Sequence, residues 1–420
     1  MSQKTNCHTT YRTVSAKANT ADQVWVRKKN RSIILDTLRT RQTLSRAGLA
    51  AETGLNPSTV SSIINELLDD NLVRETDLVQ PITGRPGRLI ELNPVGGCAV
   101  GVEINVDYLS IILTDFTANI LWRERVCSDP QESQECILHR VEALIERALV
   151  LGAERSLRQL GIGIGVPGLV DLRQGKLRIA PNLGWYDVPI LEILSRRFDL
   201  PVYLENEANA AALGEYYFGN AFEVKNLIYL SAGVGLGAGI LVGGKLFRGS
   251  QGYASEVGHI TFDSNGELCG CGKKGCWETF VSPRFVERRV RRMLQAGQPS
   301  VMLELAGSDP QRITFEIVLQ AAQNEDPAAL QVLDEVACNL GVGMANLVNI
   351  FNPELILLGG ALSRASRFLL PVVEQTLHAN ALKPNVESVR VAVSAHGVDA
   401  CMLGAVALVL DDILREPLLT

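Results

Sequence analysis

Residues 256–278 read EVGHITFDSNGELCGCGKKGCWE, and the fold is decided in this stretch. Nine residues separate His259 from the cluster Cys269-x-Cys271-Gly-x-x-Gly-Cys276, and the carboxylates of Glu256 and Glu278 close the two ends. Three thiolates and one imidazole suit a closed tetrahedral zinc site, because soft sulfur ligands favour that metal and no coordination position stays open. Gly270, Gly272 and Gly275 fit a loop that must fold back on itself to bring three sulfurs within about 4 Å of one another, given Zn–S bonds of about 2.3 Å. A chance thiol cluster or a disulfide is the plain alternative. Four ligands and three glycines in agreement favour a structural zinc ion.

The same pattern, Gly-His, nine residues, Cys-x-Cys-Gly-x-x-Gly-Cys-x-Glu, resembles the signature of the ROK family (repressors, open reading frames and kinases of sugars), and the resemblance extends over about residues 95–412. It implies that His259, Cys269, Cys271 and Cys276 hold the metal, and that Glu256, His259 and Glu278 contact a sugar. One imidazole nitrogen on zinc fixes the ring and leaves the other for a hydroxyl. The metal would then shape the sugar site, with no open position for catalysis at the ion.

Working outward, 420 residues exceed what a single core supports, so two or three domains are expected. Nine cysteines with no secretory signal point to a reducing cytosol, where clustered Cys means metal more often than disulfide. The longest uncharged run, Leu227 to Gly244, is too rich in glycine for a membrane span. Charge is uneven: residues 1–92 hold 13 Lys/Arg against 9 Asp/Glu, a net of +4, whereas the whole chain carries −6 and the remainder therefore −10. A basic block on an acidic body points to a nucleic-acid-binding head.

Residues 1–25 are polar and aperiodic and read as a disordered tail. Asn30 is positioned to cap a first helix with the stripe Ile33, Ile34, Leu38, and Thr43 or Ser45 opens a second that Gly54 ends. A third spans Ser58–Asp69, its inner face Val60, Ile63, Ile64, Leu67 and Leu68. Two short helices joined through a glycine describe a helix-turn-helix. Asn56, Ser58, Thr59 and Ser62 offer short polar groups for phosphates and base edges, although Ser and Thr at such positions also serve as caps. The segments at Leu72–Glu75 and Arg88–Leu92 read as a hairpin around Pro81–Gly87, which makes the head, residues 26–93, a winged helix. Arg85, set between Gly and Pro at the wing tip, fits a narrow minor groove. A similar Gly-Arg-Pro occurs in the wings of ROK-type repressors.

Beyond Asn93-Pro94 the pattern is β-β-β-α-β-α, and it restarts at Asn226. The expected fold is α/β: a winged helix-turn-helix followed by a duplicated, actin-like, two-lobed body with its ligand in the cleft. The lobes would span 94–220 and 221–420, the second carrying the zinc loop at 256–278, with the C-terminal helix free to return to the first. Leu204-Glu205-Asn206-Glu207-Ala208-Asn209 places Asn206 and Glu207 where a strand ends and a helix begins, the preferred ligand position of such a sheet. A plain helix cap at Asn206 reads equally well. The family's sugar kinases show Asn-Asp at this junction, the Asp acting as base; the match here is Asn206 and Glu207.

Two functions compete: an ATP-dependent sugar kinase, and a DNA-binding repressor that uses the same cleft as a sugar sensor. Phosphoryl transfer needs glycine-rich turns that let backbone approach phosphate. The kinases' first loop reads roughly Asp-x-Gly-Gly-Thr-Lys, whereas this chain has Glu103-Ile104-Asn105-Val106-Asp107. The second loop, Ser231–Gly237, carries Val234 where kinases place a Thr, and Glu207 is a methylene longer than the base it replaces. The ATP side is damaged and the sugar side intact, which favours the repressor. The family's D-xylose-responsive repressors are similar in this combination, making D-xylose the leading inducer, with glucose or another hexose the alternative. A homodimer or higher homo-oligomer is expected, since such heads read paired half-sites.

Overall fold

A computed structural model describes residues 23–79, 87–129, 131–219, 221 and 223–415. In the head, α1 (Gln23–Arg41) leads through β1 (Thr43–Ser45) and α2 (Arg46–Thr53) to α3 (Pro57–Asp69), followed by β2 (Val73–Val79) and β3 (Gly87–Leu92). The helix breaks follow local chemistry. Ser45 accepts the Gly48 N–H to start α2, Gly54 closes it at φ 69°, and Asn56 accepts the Ser58 N–H with Pro57 at the first helical position. Two expectations are corrected. Asn30 lies inside α1 and caps nothing, and the cap of α3 is Asn56, not Ser58. The helix also begins at Gln23, inside the expected tail, and Arg85 lies outside the described residues.

The first lobe builds β4 (Cys98–Ile104), β5 (Tyr108–Asp115), β6 (Ile120–Cys127), α4 (Gln134–Glu154) and β7 (Gln159–Val166). A small antiparallel sheet follows, β8 (Leu169–Asp171), β9 (Lys176–Ala180) and β10 (Trp185–Val188), then α5 (Ile190–Arg197), β11 (Val202–Asn206) and α6 (Glu207–Phe218). The second lobe opens with β12 (Leu227–Ala232), β13 (Leu236–Val242) and β14 (Lys245–Leu246). After the cysteine loop come α7 (Glu278–Val281), α8 (Pro283–Gln295), α9 (Met302–Leu305), α10 (Phe315–Gln323) and α11 (Pro327–Phe351). The chain ends in β15 (Leu355–Gly360), α12 (Ser366–Asn380), α13 (Lys383–Val386), β16 (Arg390–Val393) and α14 (Ala400–Arg415).

The main sheets run β11-β7-β4-β5-β6 and β14-β13-β12-β15-β16. In each half the first three strands form an antiparallel meander, and the fourth and fifth add in parallel on the other side. The duplication expected from the restart at Asn226 is therefore matched in strand order and direction.

Helix α14 ties the molecule together. Its backbone lies directly on the first sheet: a Cβ at Gly163 would sit 1.9 Å from the Ala405 carbonyl, so that strand position has no space for a side chain. Its apolar residues Val406, Val409, Leu410 and Ile413 share one buried cluster with Ile34, Leu35 and Leu38 of α1 and with Ile112 and Phe116 of the first lobe. The head's core thus continues into the body's. Asn93, 4% exposed, reinforces the seam by donating to the Asn71 carbonyl at 3.0 Å.

Candidate functional site

The cysteine loop is held by two isolated bridges, Thr261 to Cys276 and Leu268 to Lys274. Its turn at Gly275 needs φ 69°, and a Cβ there would fall 1.5 Å from the Asp263 carbonyl. The loop delivers one ligand atom each from His259, Cys269, Cys271 and Cys276, all within 4.8 Å of one another. The Sγ atoms of Cys271 and Cys276 are 3.6 Å apart, and Cys269 Sγ is 3.6 Å from His259 Nδ1. Tetrahedral bonds of about 2.3 Å place sulfurs about 3.8 Å apart, so the donor set fits a zinc-sized soft cation. Glu278 links this cluster to the glycine loop, with Oε1 at 2.8 Å from Cys269 Sγ and Oε2 accepting the Leu236 N–H at 3.4 Å.

Asn206, Glu207, Glu256, His259 and Glu278 all line one cleft between the lobes, together with Asn105, Val106 and Asn182 and the backbone of Gly233–Gly237. Parallel pairing of β11 with β7 carries Asn206 to the sheet's C-terminal edge, where α6 begins. Asn206 acts there as the cap: its Oδ1 accepts the Ala208 and Asn209 N–H groups, while Nδ2 donates to Gly168 O at 3.0 Å and to Glu207 Oε2 at 2.9 Å. The bond to Glu207 is the one that a ligand oxygen can replace while the cap stays intact. Asn182 is missed by the sequence reading, and Asn105 enters it only as part of the altered first loop, not as a cleft-lining residue. For Asn182 the available signal was Pro181-Asn182, a turn pair between short strands.

Burial drives the Glu207 carboxyl up to about 8; its own backbone N–H opposes this, and the nearby Glu256 and Glu103 charges add to it. Burial also raises Glu256, partly offset by His259. At neutral pH Glu207 therefore keeps its proton and offers an O–H donor to a ligand.

The turn corresponding to the first phosphate loop is filled from within. Glu103, 5% exposed, accepts the Tyr108 O–H at 2.7 Å and the Asn105 amide at 2.9 Å, and the Arg125 guanidinium lies 4.0 Å over the Tyr108 ring. Burial pushes the Glu103 carboxyl up. Val106 is 2% exposed. At the Gly359-Gly360 pair, a Cβ on Gly359 would lie 1.9 Å from the buried Tyr229 hydroxyl, so strand packing accounts for that glycine.

In the head, Asn56, Ser58 and Ser62 are exposed along α3 and Thr59 is half-buried. The helix has no basic residue of its own. Positive charge reaches it from neighbours: Arg27 on α1 donates to Ser62 Oγ at 2.9 Å, and Arg46 on α2 donates to Asn65 Oδ1 at 2.9 Å. Glu66 and Glu75 pair with these two arginines. The basic cluster at the head's start hinted at Arg27; nothing in the linear pattern singled out Arg46.

Comparisons with known proteins agree with this architecture. The ROK family description matches residues 99–412, and a winged helix-turn-helix DNA-binding description matches residues 27–74. The xylose repressor of Caldicellulosiruptor bescii is 35% identical over 388 residues, 92% of this chain and 97% of that protein. The glucokinase of Streptomyces coelicolor is 33% identical over 324 residues, 76% of this chain and 98% of that protein. A solved ROK family transcriptional regulator, described as a homologue of the Escherichia coli Mlc protein, superposes with a TM-score of 0.80 at 30% identity, covering 93% of this chain and 97% of its own. With the match running through both lobes and a winged head in front of it, the chain belongs to the ROK family.

Proposed function

We propose that the chain is a sugar-responsive transcriptional repressor, bound to operator DNA through its winged head and released when a monosaccharide, D-xylose first among candidates, fills the cleft. The observation that carries this reading is the path of α6. The helix starts at the Asn206–Glu207 junction and ends against the head, where the Tyr217 carbonyl accepts Arg39 Nη1 at 2.6 Å. Shared length with a xylose repressor supports the repressor assignment and the choice of sugar. The filled loop at Glu103 works against an ATP-dependent kinase.

In this reading Asn206, Glu207, Glu256, His259 and Glu278 bind the sugar. Asn56, Ser58, Thr59, Ser62 and Arg85 contact DNA, and two copies of the chain in the cytoplasm read paired half-sites. His259, Cys269, Cys271 and Cys276 hold zinc, which supplies a rigid crosslink within the loop. Glu207, longer than Asp, suits a pentose without a C6 group. Sugar and DNA favour different lobe arrangements, so each weakens the other by the same factor, about 5–150-fold for coupling of about 1–3 kcal/mol.

The test is binding of the purified chain to DNA from upstream of its own gene, titrated with D-xylose, D-glucose and other monosaccharides. Release by one sugar supports the reading and names the inducer. Sugar-dependent ATP turnover without sugar-dependent DNA release would replace it with the kinase. Glu256→Ala is expected to lose the sugar response and keep operator binding.

A further inference from the structure

We infer that Arg248 is a positioning residue that locks the sugar-binding groups of the two lobes into one geometry through Glu205. Glu205 precedes the Asn206–Glu207 junction on β11 and is 2% exposed, a depth at which an ionised carboxylate requires partners. It has four. Oε1 accepts the Asn206 N–H at 3.0 Å and the Asn209 amide at 3.1 Å, and Oε2 accepts Arg248 Nε at 3.1 Å and Nη2 at 2.7 Å. The first pair fixes the start of α6. The second comes from the other lobe.

Arg248 follows β14 and opens a tight loop that ends at Glu256. Ala254 N–H closes the loop on the Arg248 carbonyl at 3.2 Å, and Ser255 Oγ donates to the Phe247 carbonyl at 3.4 Å. Ser255 itself sits at φ 74°, a left-handed conformation that a non-glycine residue holds only when its surroundings impose it. One short loop therefore has Arg248 gripping the first lobe at one end and Glu256 facing the cleft at the other. The separation of Glu256 from Asn206 and Glu207 is set through the Arg248–Glu205 fork. A planar guanidinium suits the task, because two N–H groups on one side chain fix direction as well as distance. Neither residue lines the cleft, so the pair acts by placing the residues that do.

The inference rests on the sugar-pocket reading, and its test separates the two. D-Xylose and D-glucose affinities, melting temperature and sugar-free operator affinity are measured for the full chain, for Arg248→Met, for Arg248→Lys, and for Arg248→Met combined with Glu205→Gln. Arg248→Met alone leaves a buried carboxylate short of its partner, and the expected result is a lower melting temperature and at least tenfold weaker sugar binding. The double variant removes that orphan charge and recovers the melting temperature, yet sugar binding stays at least tenfold weak, while sugar-free operator affinity stays within twofold of the original. Arg248→Lys, with charge but no fork, is expected to fall between. A double variant that melts and binds sugar like the original chain overturns the positioning role and leaves the pocket reading standing. An original chain that binds no monosaccharide overturns both.

Discussion

Arg39 on α1 holds the end of α6 twice over: its Nη1 donates to the Tyr217 carbonyl at 2.6 Å, and its guanidinium lies 4.6 Å over the Tyr217 ring. Tyr217 in turn bonds Asp411 of α14 through its hydroxyl. Three helices, one from the head and two from the body, meet at this tyrosine. A rigid-body displacement of α6 begun at Asn206 would reach this contact. Arg39→Ala is expected to cut sugar-driven release of DNA by about 2- to 30-fold, the range for coupling changes of about 0.5–2 kcal/mol. Sugar affinity in the absence of DNA should change little. Titrating sugar with and without operator measures both, and an unchanged coupling factor would exclude this route.

Glu207 makes stability depend on pH. Its folded carboxyl titrates at about 8, above its unfolded value, so its contribution is fully present at pH values below the unfolded one and is lost as pH rises through 8. Glu207→Gln should flatten this part of the decline between about pH 5 and 9, leaving the variant more stable than the original chain at the alkaline end. The side chain is half-buried with one side on the cleft, and solvent there screens part of the effect and keeps the slope shallow. Urea denaturation across that pH range reads it directly; parallel profiles for the two proteins would contradict the assignment.

Metal removal should act on the sugar, not on the DNA. The cluster abuts the cleft through His259 and Glu278, whereas the head is joined to the first lobe and α14. Chelation, or Cys276→Ser, is expected to weaken sugar binding by about an order of magnitude, equivalent to about 1.4 kcal/mol of lost preorganisation. Zinc content by elemental analysis, paired with sugar calorimetry, tests this. Full sugar affinity in metal-stripped protein would remove the ion from the site's function.

Arg46 provides a test of the DNA face. It reaches α3 from α2, with Glu75 as its present partner. A phosphate would compete for the guanidinium, so Arg46→Ala should weaken binding to specific and non-specific DNA alike and lower the slope of log affinity against log salt by about 1. A loss confined to one base position would indicate base readout.

The parts of the fold visible in the sequence are those with a local signature. Cysteine spacing marks the cysteine loop, and the leading strands of the two meanders are runs of buried residues such as Val100, Val102 and Ile104 that register as strands wherever they occur. Helix α14 was legible only as a fragment to be placed, because Val406, Val409 and Leu410 are buried among neighbouring apolar residues on nearly every side and leave little polar face to set a period. Helix α1 misleads for the opposite reason. It contains Lys28-Lys29-Asn30-Arg31, where Asn30 resembles a cap, and Arg31 is 6% exposed, paired with Glu66 of α3 and with Asp70 just beyond its end. Strands β8–β10 are three to five residues long, too short for alternation to show. At the site, the residue types of Asn206 and Glu207 were readable. The Arg248–Glu205 pairing spans 43 residues and two lobes, and no local pattern encodes it.

The seam between α1 and α14 has a consequence for how the protein is made. Synthesis reaches α1 long before α14, whose Val406, Val409, Leu410 and Ile413 share the buried cluster of Ile34, Leu35 and Leu38. At about 5–20 residues per second, the head waits on the order of tens of seconds for its own core. A chain that lacks α14 leaves the α1 side of this cluster without Val406, Val409, Leu410 and Ile413. Truncation before Ala400 is expected to lower the stability of the head as well as that of the body.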